Sequence, residues 1–454
     1  MKNLTEGKPL KLIFLFALPL MLGNLLQQLY TMVDTMIVGQ FVGVDALASI
    51  GGADWINWAI LGLLMGFTQG FSIRVSNCLG AQDEKGMEQA IAMSFLSCLI
   101  IGLIVTVVAH IVIVPLLHLL NTPDNTIHGS ILYLRIMSSG VIIVIFYNCF
   151  SSVLRAIGDS QTPLRAMIIA ACMNIILDLV AVCVFHMGIA GAAIATVISQ
   201  LFAAFYCYKT LNNELPFVLT KKSFQIDVKL IKQLVKLGMP LACQNMIIAI
   251  GGIILQSVVN GFGFLFIAGY TATNKFYGIL EVVSISFGYA ITTFTSQNYG
   301  AKKYERMKNG VFQANLLSVI ISLVILLVVI LFGKNALMLF ISASPKQTQI
   351  VLQYAYDYLF VMAVCLPVLY ILYSYRSALQ GMENTFIPMV SGIVELIMRV
   401  SAALILPRFI GVYGIYIAEV LAWFGAAVLL YISYRINIKK IEKNNIMIEI
   451  HEGE

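Results

Sequence analysis

Residues 12–40 read LIFLFALPLMLGNLLQQLYTMVDTMIVGQ, and this stretch decides the fold class. It exceeds the roughly 20 mostly apolar residues that a helix needs to cross a bilayer. Stretches of similar length and character recur as far as about Tyr434, with short polar breaks between them. The 454-residue chain is 60% hydrophobic and only 11% charged, far from the composition of soluble domains. We therefore expect an all-α integral membrane protein.

The polar and Gly/Pro-rich breaks predict twelve transmembrane helices. Their predicted bounds are residues 12–40, 46–78, 87–113, 127–154, 163–186, 190–211, 230–262, 264–298, 309–332, 348–379, 386–407 and 412–434. The first helix is too long for the apolar core of a signal peptide, so we expect it to be retained as a span.

Basic residues concentrate in alternate connections between these spans. One set of connections holds Lys85, Arg155, Arg165, Lys209, Lys221, Lys222, Lys229, Lys232, Lys236, Lys302, Lys303, Arg306, Lys308, Arg435, Lys439, Lys440 and Lys443, and the other holds Lys334, Lys346 and Arg408. This asymmetry follows the positive-inside rule and predicts a bacterial inner-membrane protein with both termini in the cytoplasm. Because the basic residues lie between spans, the formal charge of +6 does not predict a nucleic-acid partner.

The second half of the chain repeats the first. The sequence ALPL around Pro19 recurs as GMPL around Pro240, and Gly80-Ala81 recurs as Gly300-Ala301. Six spans are thereby duplicated in order, which predicts two six-helix lobes related by a parallel repeat around a central cleft, the architecture of alternating-access transporters. We expect an N-terminal lobe at residues 1–211, a cytoplasmic linker at 212–229, a C-terminal lobe at 230–438 and a cytoplasmic tail at 439–454.

Ionisable residues in the middle of spans are functional candidates, because each is costly to insert. In the first half these are Asp34 and Asp178, and Asn174 shares a helix face with Asp178 at i, i+4 spacing. Thr196 falls at a similar depth on the next span. Oxygen donors of this kind, without a basic neighbour, suit a proton or sodium ion. The alternative is a hydrogen-bonded polar cluster that only fixes helix packing.

The second half carries a different set of charges. Arg399 and Glu419 occupy two of the matching positions, and Glu395 precedes Arg399 by one helical turn. We expect these three residues to form a self-neutralising cluster, with a role in substrate binding or coupling as the alternative. Lys275 and Glu281 are also candidates for substrate contact or coupling, on different faces of their helix.

No enzyme motif or nucleotide-binding loop is present, and the five histidines do not cluster. We therefore expect no catalytic residues, no enzymatic activity, no cofactor beyond a coupling ion (H⁺ or Na⁺) and no metal other than Na⁺. Eight cysteines lie in or beside apolar segments without a metal-binding spacing. The expected partners are organic cations and membrane lipid, with the protein acting as a monomer.

Two sequence motifs carry a family resemblance. Residues 33–39 read VDTMIVG, and residues 154–159 read LRAIGD and are followed by Thr162-Pro163. With the twelve duplicated spans, they resemble the multidrug and toxic compound extrusion (MATE) family over nearly the whole chain, from about residue 9 to 434. The resemblance implies proton- or sodium-coupled export of cationic, often aromatic drugs.

The resemblance also implies a cation site in the N-terminal lobe, at the positions of Asp34, Asn174, Asp178 and Thr196. Binding of the cation is expected to bend the first span near Pro19 and Gly23. The predicted seventh span contains no acidic residue, so a sodium site in the C-terminal lobe is not expected.

Two other functions stay open at this stage. One is a flippase for a lipid-linked precursor, although such proteins resemble a fourteen-span plan with several arginines in the cavity. The other is a membrane scaffold without transport activity, which would have no need of uncompensated acids.

Overall fold

The computed structural model describes residues 3–120, 122–338, 341 and 345–452, and the regular structure of these residues is entirely helical. The α-helices are α1 (Pro9–Phe41), α2 (Val44–Gly80), α3 (Glu84–Leu119), α4 (Asp124–Ser139), α5 (Val141–Ala156), α6 (Gln161–Asp178), α7 (Gly188–Glu214), α8 (Val228–Val259), α9 (Phe264–Gly300), α10 (Tyr304–Met338), α11 (Pro345–Gly381), α12 (Phe386–Ile405), α13 (Pro407–Ile410) and α14 (Tyr413–Glu452). A π-helical segment (Leu179–Val184) extends α6, and a 3₁₀ turn (Asn260–Phe262) extends α8.

The predicted number of spans is confirmed. Eleven helices are long and apolar enough to cross a membrane, and the pair α4 and α5 makes a twelfth that is bent by 51°. The bend falls at Gly140, where a Cβ atom would lie 2.6 Å from the side chain of Val197. The close approach of α7 therefore requires a glycine at the bend. The number of long apolar helices shows that the chain is a multi-pass membrane protein.

Several helices extend past their predicted ends. α7 continues to Glu214, so the first residues of the predicted linker are helical, and the predicted tail after residue 438 continues α14 as far as Glu452. Polar residues in these extensions keep a helical backbone because helix propensity does not require an apolar face. The side chains of Lys346 and of residues 444–454 lie outside the described part of the structure.

The chain divides into two compact units. Unit 1 contains Phe16–Met246, and unit 2 contains Leu4–Leu15 and Ile247–Glu454. The divisions fall inside α1 and α8, so each of these helices starts in one unit and ends in the other. The predicted lobe boundaries stay a prediction, since they follow the sequence repeat and not the packing of the helices.

Close helix contact in unit 1 depends on two glycines of α2. A Cβ atom on Gly66 would lie 2.4 Å from the backbone of Ala242, and one on Gly70 would lie 2.3 Å from Gly238. Small residues spaced by four allow two helix backbones to approach closely in a membrane. Asn245 strengthens this contact by donating a hydrogen bond from Nδ2 to the carbonyl of Gly62, at 2.8 Å.

Candidate functional site

The predicted cation-site residues come together in unit 1. The carboxyl groups of Asp34 on α1 and Asp178 on α6 lie within hydrogen-bonding reach of each other. Two carboxylates at this range repel each other strongly unless a proton or another cation lies between them. A proton or another cation between the two carboxyl groups would remove this repulsion.

Asn174 and Thr196 complete the predicted set. Asn174 Nδ2 donates to Thr196 Oγ1 at 3.3 Å, and the threonine hydroxyl donates to the carbonyl of Ala192 at 3.0 Å. Asn174 and Asp178 are both fully buried. Because the amide nitrogen of Asn174 is directed to the threonine, its carbonyl oxygen is left as an acceptor.

The buried polar atoms of this cluster that lack a hydrogen-bond partner are all acceptors. They are Asp34 Oδ1, Asn174 Oδ1, Asp178 Oδ1 and Asp178 Oδ2, each without a donor among the described residues. Unsatisfied buried acceptors are costly in a low-dielectric interior. A proton on the acid pair, or a sodium ion among these oxygens, would satisfy them, so the residues present fit a small hard cation.

Local backbone structure positions the acid of α6. The α-helix ends at Asp178 and continues as the π-helical segment Leu179–Val184. Such π segments are rare and occur frequently at functional sites, because they rotate the following side chains relative to a regular helix. This change of helix type could not be predicted from the residue pattern.

Three further side chains surround the acid pair and were missing from the predicted set. Tyr30 lies near both carboxylates and beside Gln200, and Tyr133 on α4 lies near the same two acids. Two of these residues could have been found by helix periodicity, since Tyr30 precedes Asp34 by four residues and Gln200 follows Thr196 by four.

A third acid lies within electrostatic range of the pair. Asp54 on α2 is exposed, and its charge interacts with Asp34 and with Tyr133. The neighbouring Trp55 and Trp58 are 40% and 59% exposed. A carboxylate and exposed indole rings on the same helix provide the two kinds of group that attract an organic cation.

The predicted charge cluster of unit 2 also forms. Arg399 Nε lies 3.0 Å from Glu419 Oε2, and Arg399 Nη2 lies 4.0 Å from Glu395 Oε2. A residue that the prediction missed, Arg376 on α11, pairs with the other oxygen of Glu395. Arg376 lies near the C-terminal end of α11, so in the sequence it resembles an ordinary arginine at the boundary of a span.

The cluster continues through a tyrosine to a further acid. Tyr373 donates from its hydroxyl to Glu281 Oε1 at 2.9 Å, and the guanidinium of Arg376 lies 5.5 Å from the centre of the same ring. Three acids and two arginines therefore form one connected chain in unit 2. Lys275 is exposed and contacts none of these residues within the described structure.

The predicted bending residues lie in a continuous helix. α1 runs from Pro9 to Phe41 with Pro19 inside it. Proline removes one backbone hydrogen bond and clashes with the preceding turn, so this position is the weakest in the helix. Bending at Pro19 and Gly23 stays a prediction.

Comparison with known proteins agrees with this architecture. The sequence profile of the MatE family matches residues 19–180 and again residues 240–405. The two matches correspond to the two halves of the internal repeat and together cover most of the chain.

Characterised relatives cover about three quarters of the chain. The chain is 32% identical over 346 residues to the probable multidrug resistance protein YpnP of Bacillus subtilis, covering 75% of this chain and 76% of the relative. It is 29% identical to the probable multidrug resistance protein YoeA of the same organism, covering 72% and 73%. The multidrug export protein MepA of Staphylococcus saprophyticus is 24% identical, with 72% and 70% covered.

Solved structures share the fold across the whole chain. A MOP superfamily transporter from Pyrococcus furiosus superimposes with a TM-score of 0.91 at 23% identity, covering 97% of this chain and 99% of that one. A MATE in complex with MaL6 also gives 0.91 at 23% identity, covering 98% and 100%. The twelve-span duplicated fold, the double match to the family profile and the 32% identity over three quarters of the chain show that this protein belongs to the MatE family of multidrug and toxic compound extrusion transporters.

Proposed function

We propose that this protein is a secondary active antiporter that exports amphipathic organic cations in exchange for H⁺ or Na⁺. It is proposed to act as a monomer in the bacterial inner membrane, with both termini in the cytoplasm, and to have no enzymatic activity and no cofactor beyond the coupling ion. The observation that carries the proposal is the facing carboxyl pair Asp34 and Asp178, with its unsatisfied buried acceptors.

The proposed coupling follows from the chemistry of the pair. With no cation present, two carboxylates at hydrogen-bonding range repel each other. Binding of a proton or a sodium ion removes this repulsion and allows α1 and α6 to pack closely at this level. A ligand shifts a conformational equilibrium only through its different affinity for the two states, and the pair provides that difference.

The proposed substrate class follows from the same charges. Drug export proteins among the relatives support this class, and Asp54 with Trp55 and Trp58 supplies an exposed anionic and aromatic surface in unit 1. An organic cation and the coupling cation would then compete for the negative charges of the unit 1 acids. Competition of this kind favours exchange, because binding of one cation weakens binding of the other.

The test is ethidium uptake by everted membrane vesicles under an imposed proton or sodium gradient. We expect one gradient to drive uptake in the wild type, which names the ion. Asp34→Asn and Asp178→Asn should each lower the driven rate at least about tenfold, since removing a charge of the pair removes a differential interaction of at least about 1.4 kcal/mol.

The matched control is Asp45→Asn. Asp45 is an exposed acid of unit 1 whose carboxylate accepts a hydrogen bond from Asn125 at 3.4 Å, away from the acid pair. We expect vesicles that carry the Asp45→Asn variant to take up ethidium at the wild-type rate. Wild-type rates in both Asp34→Asn and Asp178→Asn would refute the proposed site, and no uptake under either gradient would refute cation-coupled export of this substrate.

A further inference from the structure

A cavity in unit 2 lies outside the charge clusters described above. Its volume is about 610 Å³, and its walls come from Lys8, directly before α1, from the first turns of α1 (Leu10, Lys11, Phe14) and from α10 (Gln313, Leu317). This volume is within the range of pockets that hold small molecules. The site is therefore large enough to hold a headgroup and part of a chain.

The short segment before α1 is held firmly, so the two lysines do not lie on a free tail. Leu4 is 2% exposed, its N–H donates to Gln297 Oε1 at 2.8 Å, and its carbonyl accepts from Arg306 Nη2 at 3.1 Å. Lys303 Nζ donates to the carbonyl of Thr5 at 3.0 Å. The turn into the helix is made by Gly7, whose φ of 82° favours glycine.

These contacts use the basic side chains of Lys303 and Arg306 and leave the two lysines of the cavity wall. The guanidinium of Arg306 bonds to backbone carbonyls and also lies near Glu6. The exposed side chains of Lys8 and Lys11 make no ion pair with any residue that the structure describes. The cavity wall therefore carries two lysines on a fixed backbone, neither of which has an ion-pair partner among the described residues.

The cavity is charged at one end and apolar at the other. Lys11 and Phe14 are three residues apart and share a helix face, so the charge and the ring follow one another along α1. The Phe14 side chain is 40% exposed, and the centre of its ring lies 6.5 Å from the centre of the Phe287 ring. Leu317 on α10 forms part of the opposite wall.

We propose that this cavity binds an anionic phospholipid of the cytoplasmic leaflet, with its phosphate between Lys8 and Lys11 and an acyl chain along Leu10, Phe14 and Leu317. α1 and α10 both start at the side that the positive-inside pattern assigns to the cytoplasm, where anionic lipid headgroups attract basic residues. A cationic drug would be repelled by the two lysines. The lipid is therefore a ligand separate from the proposed substrate.

The test is native mass spectrometry of the purified full-length chain with dioleoyl phosphatidylglycerol and with dioleoyl phosphatidylcholine. We expect Lys8→Gln with Lys11→Gln to weaken phosphatidylglycerol binding roughly 25-fold, from about fivefold for each lysine near the lipid surface. Binding of phosphatidylcholine should be unchanged. Leu317→Trp, which narrows the apolar end, should weaken binding of both lipids while leaving the charges in place.

The matched control replaces Lys209 and Lys232, two exposed lysines of unit 1 on the same predicted side, with Gln. All variants are first checked for a single monodisperse peak, and Leu317→Trp keeps the proposal testable if the lysine variant fails to fold. An equal loss of phosphatidylglycerol affinity in the control would show that the lipid is attracted to surface lysines in general, and this would overturn the proposal. Wild-type phosphatidylglycerol affinity in the Lys8→Gln, Lys11→Gln variant would also overturn it. Displacement of the lipid by millimolar inorganic phosphate would also overturn it, since the site would then bind phosphate without the chain.

Discussion

Replacing Arg399 with Met distinguishes a structural role from a coupling role for the charged chain of unit 2. Arg399 contacts Glu419 at 3.0 Å and Glu395 at 4.0 Å, and these side chains are only 9%, 13% and 7% exposed. Removing one partner of a buried ion pair leaves an uncompensated charge and costs about 3–5 kcal/mol. The replacement therefore leaves the Glu395 and Glu419 carboxylates buried, with Arg376 as the one remaining arginine of this charge cluster.

The expected loss of stability is large enough to measure directly. At about 2–4 °C for each kcal/mol in a unit of this size, Arg399→Met should lower the unfolding midpoint by about 10 °C. The midpoint is read by tryptophan fluorescence during heating in detergent. The control Arg135→Met removes an exposed arginine of unit 1 and should change the midpoint by no more than about 2 °C.

A compensating variant makes the reasoning refutable. Arg399→Met combined with Glu419→Gln removes one charge of each sign and should recover most of the lost stability, because a matched pair of buried charges contributes little net stabilisation. An unchanged midpoint in Arg399→Met would show that the charge cluster does not support the fold. A stable double variant without gradient-driven uptake would assign the cluster to coupling, and one with normal uptake would assign it to structure.

Three further predictions concern unit 1 and its first helix. Gly70→Leu places a side chain where even a Cβ would lie 2.3 Å from Gly238, so we expect loss of folded protein on size-exclusion chromatography, while Gly70→Ala should be milder. Thr196→Val removes the hydroxyl that accepts from Asn174 at 3.3 Å; we expect uptake to need a several-fold steeper ion gradient, and Thr196→Ser should restore the wild-type dependence. Pro19→Ala restores a backbone hydrogen bond worth about 1 kcal/mol in α1; we expect a slower transport rate with a raised unfolding midpoint, and a wild-type rate would contradict a bending role.

The span pattern could be predicted from the sequence because the membrane imposes it. Apolar length, basic residues at alternate connections and the repeated Pro19 and Pro240 are each visible along the chain, and twelve spans follow from them. The bend at Gly140 was hidden because it depends on the side chain of Val197 from another helix. The sequence does not show which glycine must accept such a neighbour.

The candidate site could be predicted in part for a similar reason. Asp34 and Asp178 stand out because intramembrane acids are rare, and helix spacing adds Asn174 to Asp178. Tyr133 is not marked in this way, because an aromatic residue in a span is usually a packing residue. Only the packing of α4 against α2, α3 and α7 brings it near the acids.

The two units share a fold but not their charge balance, and this difference bears on mechanism. In unit 1, buried oxygens of Asp34, Asn174 and Asp178 lack donors, whereas in unit 2 the acids Glu395 and Glu419 each have an arginine partner. A site that must bind and release a cation in each cycle cannot keep a permanent basic partner, because that partner would neutralise the acids and repel the cation. The duplicated fold therefore provides two similar supports, and among the residues that the structure describes, the pair of neighbouring acids without a basic partner lies in unit 1.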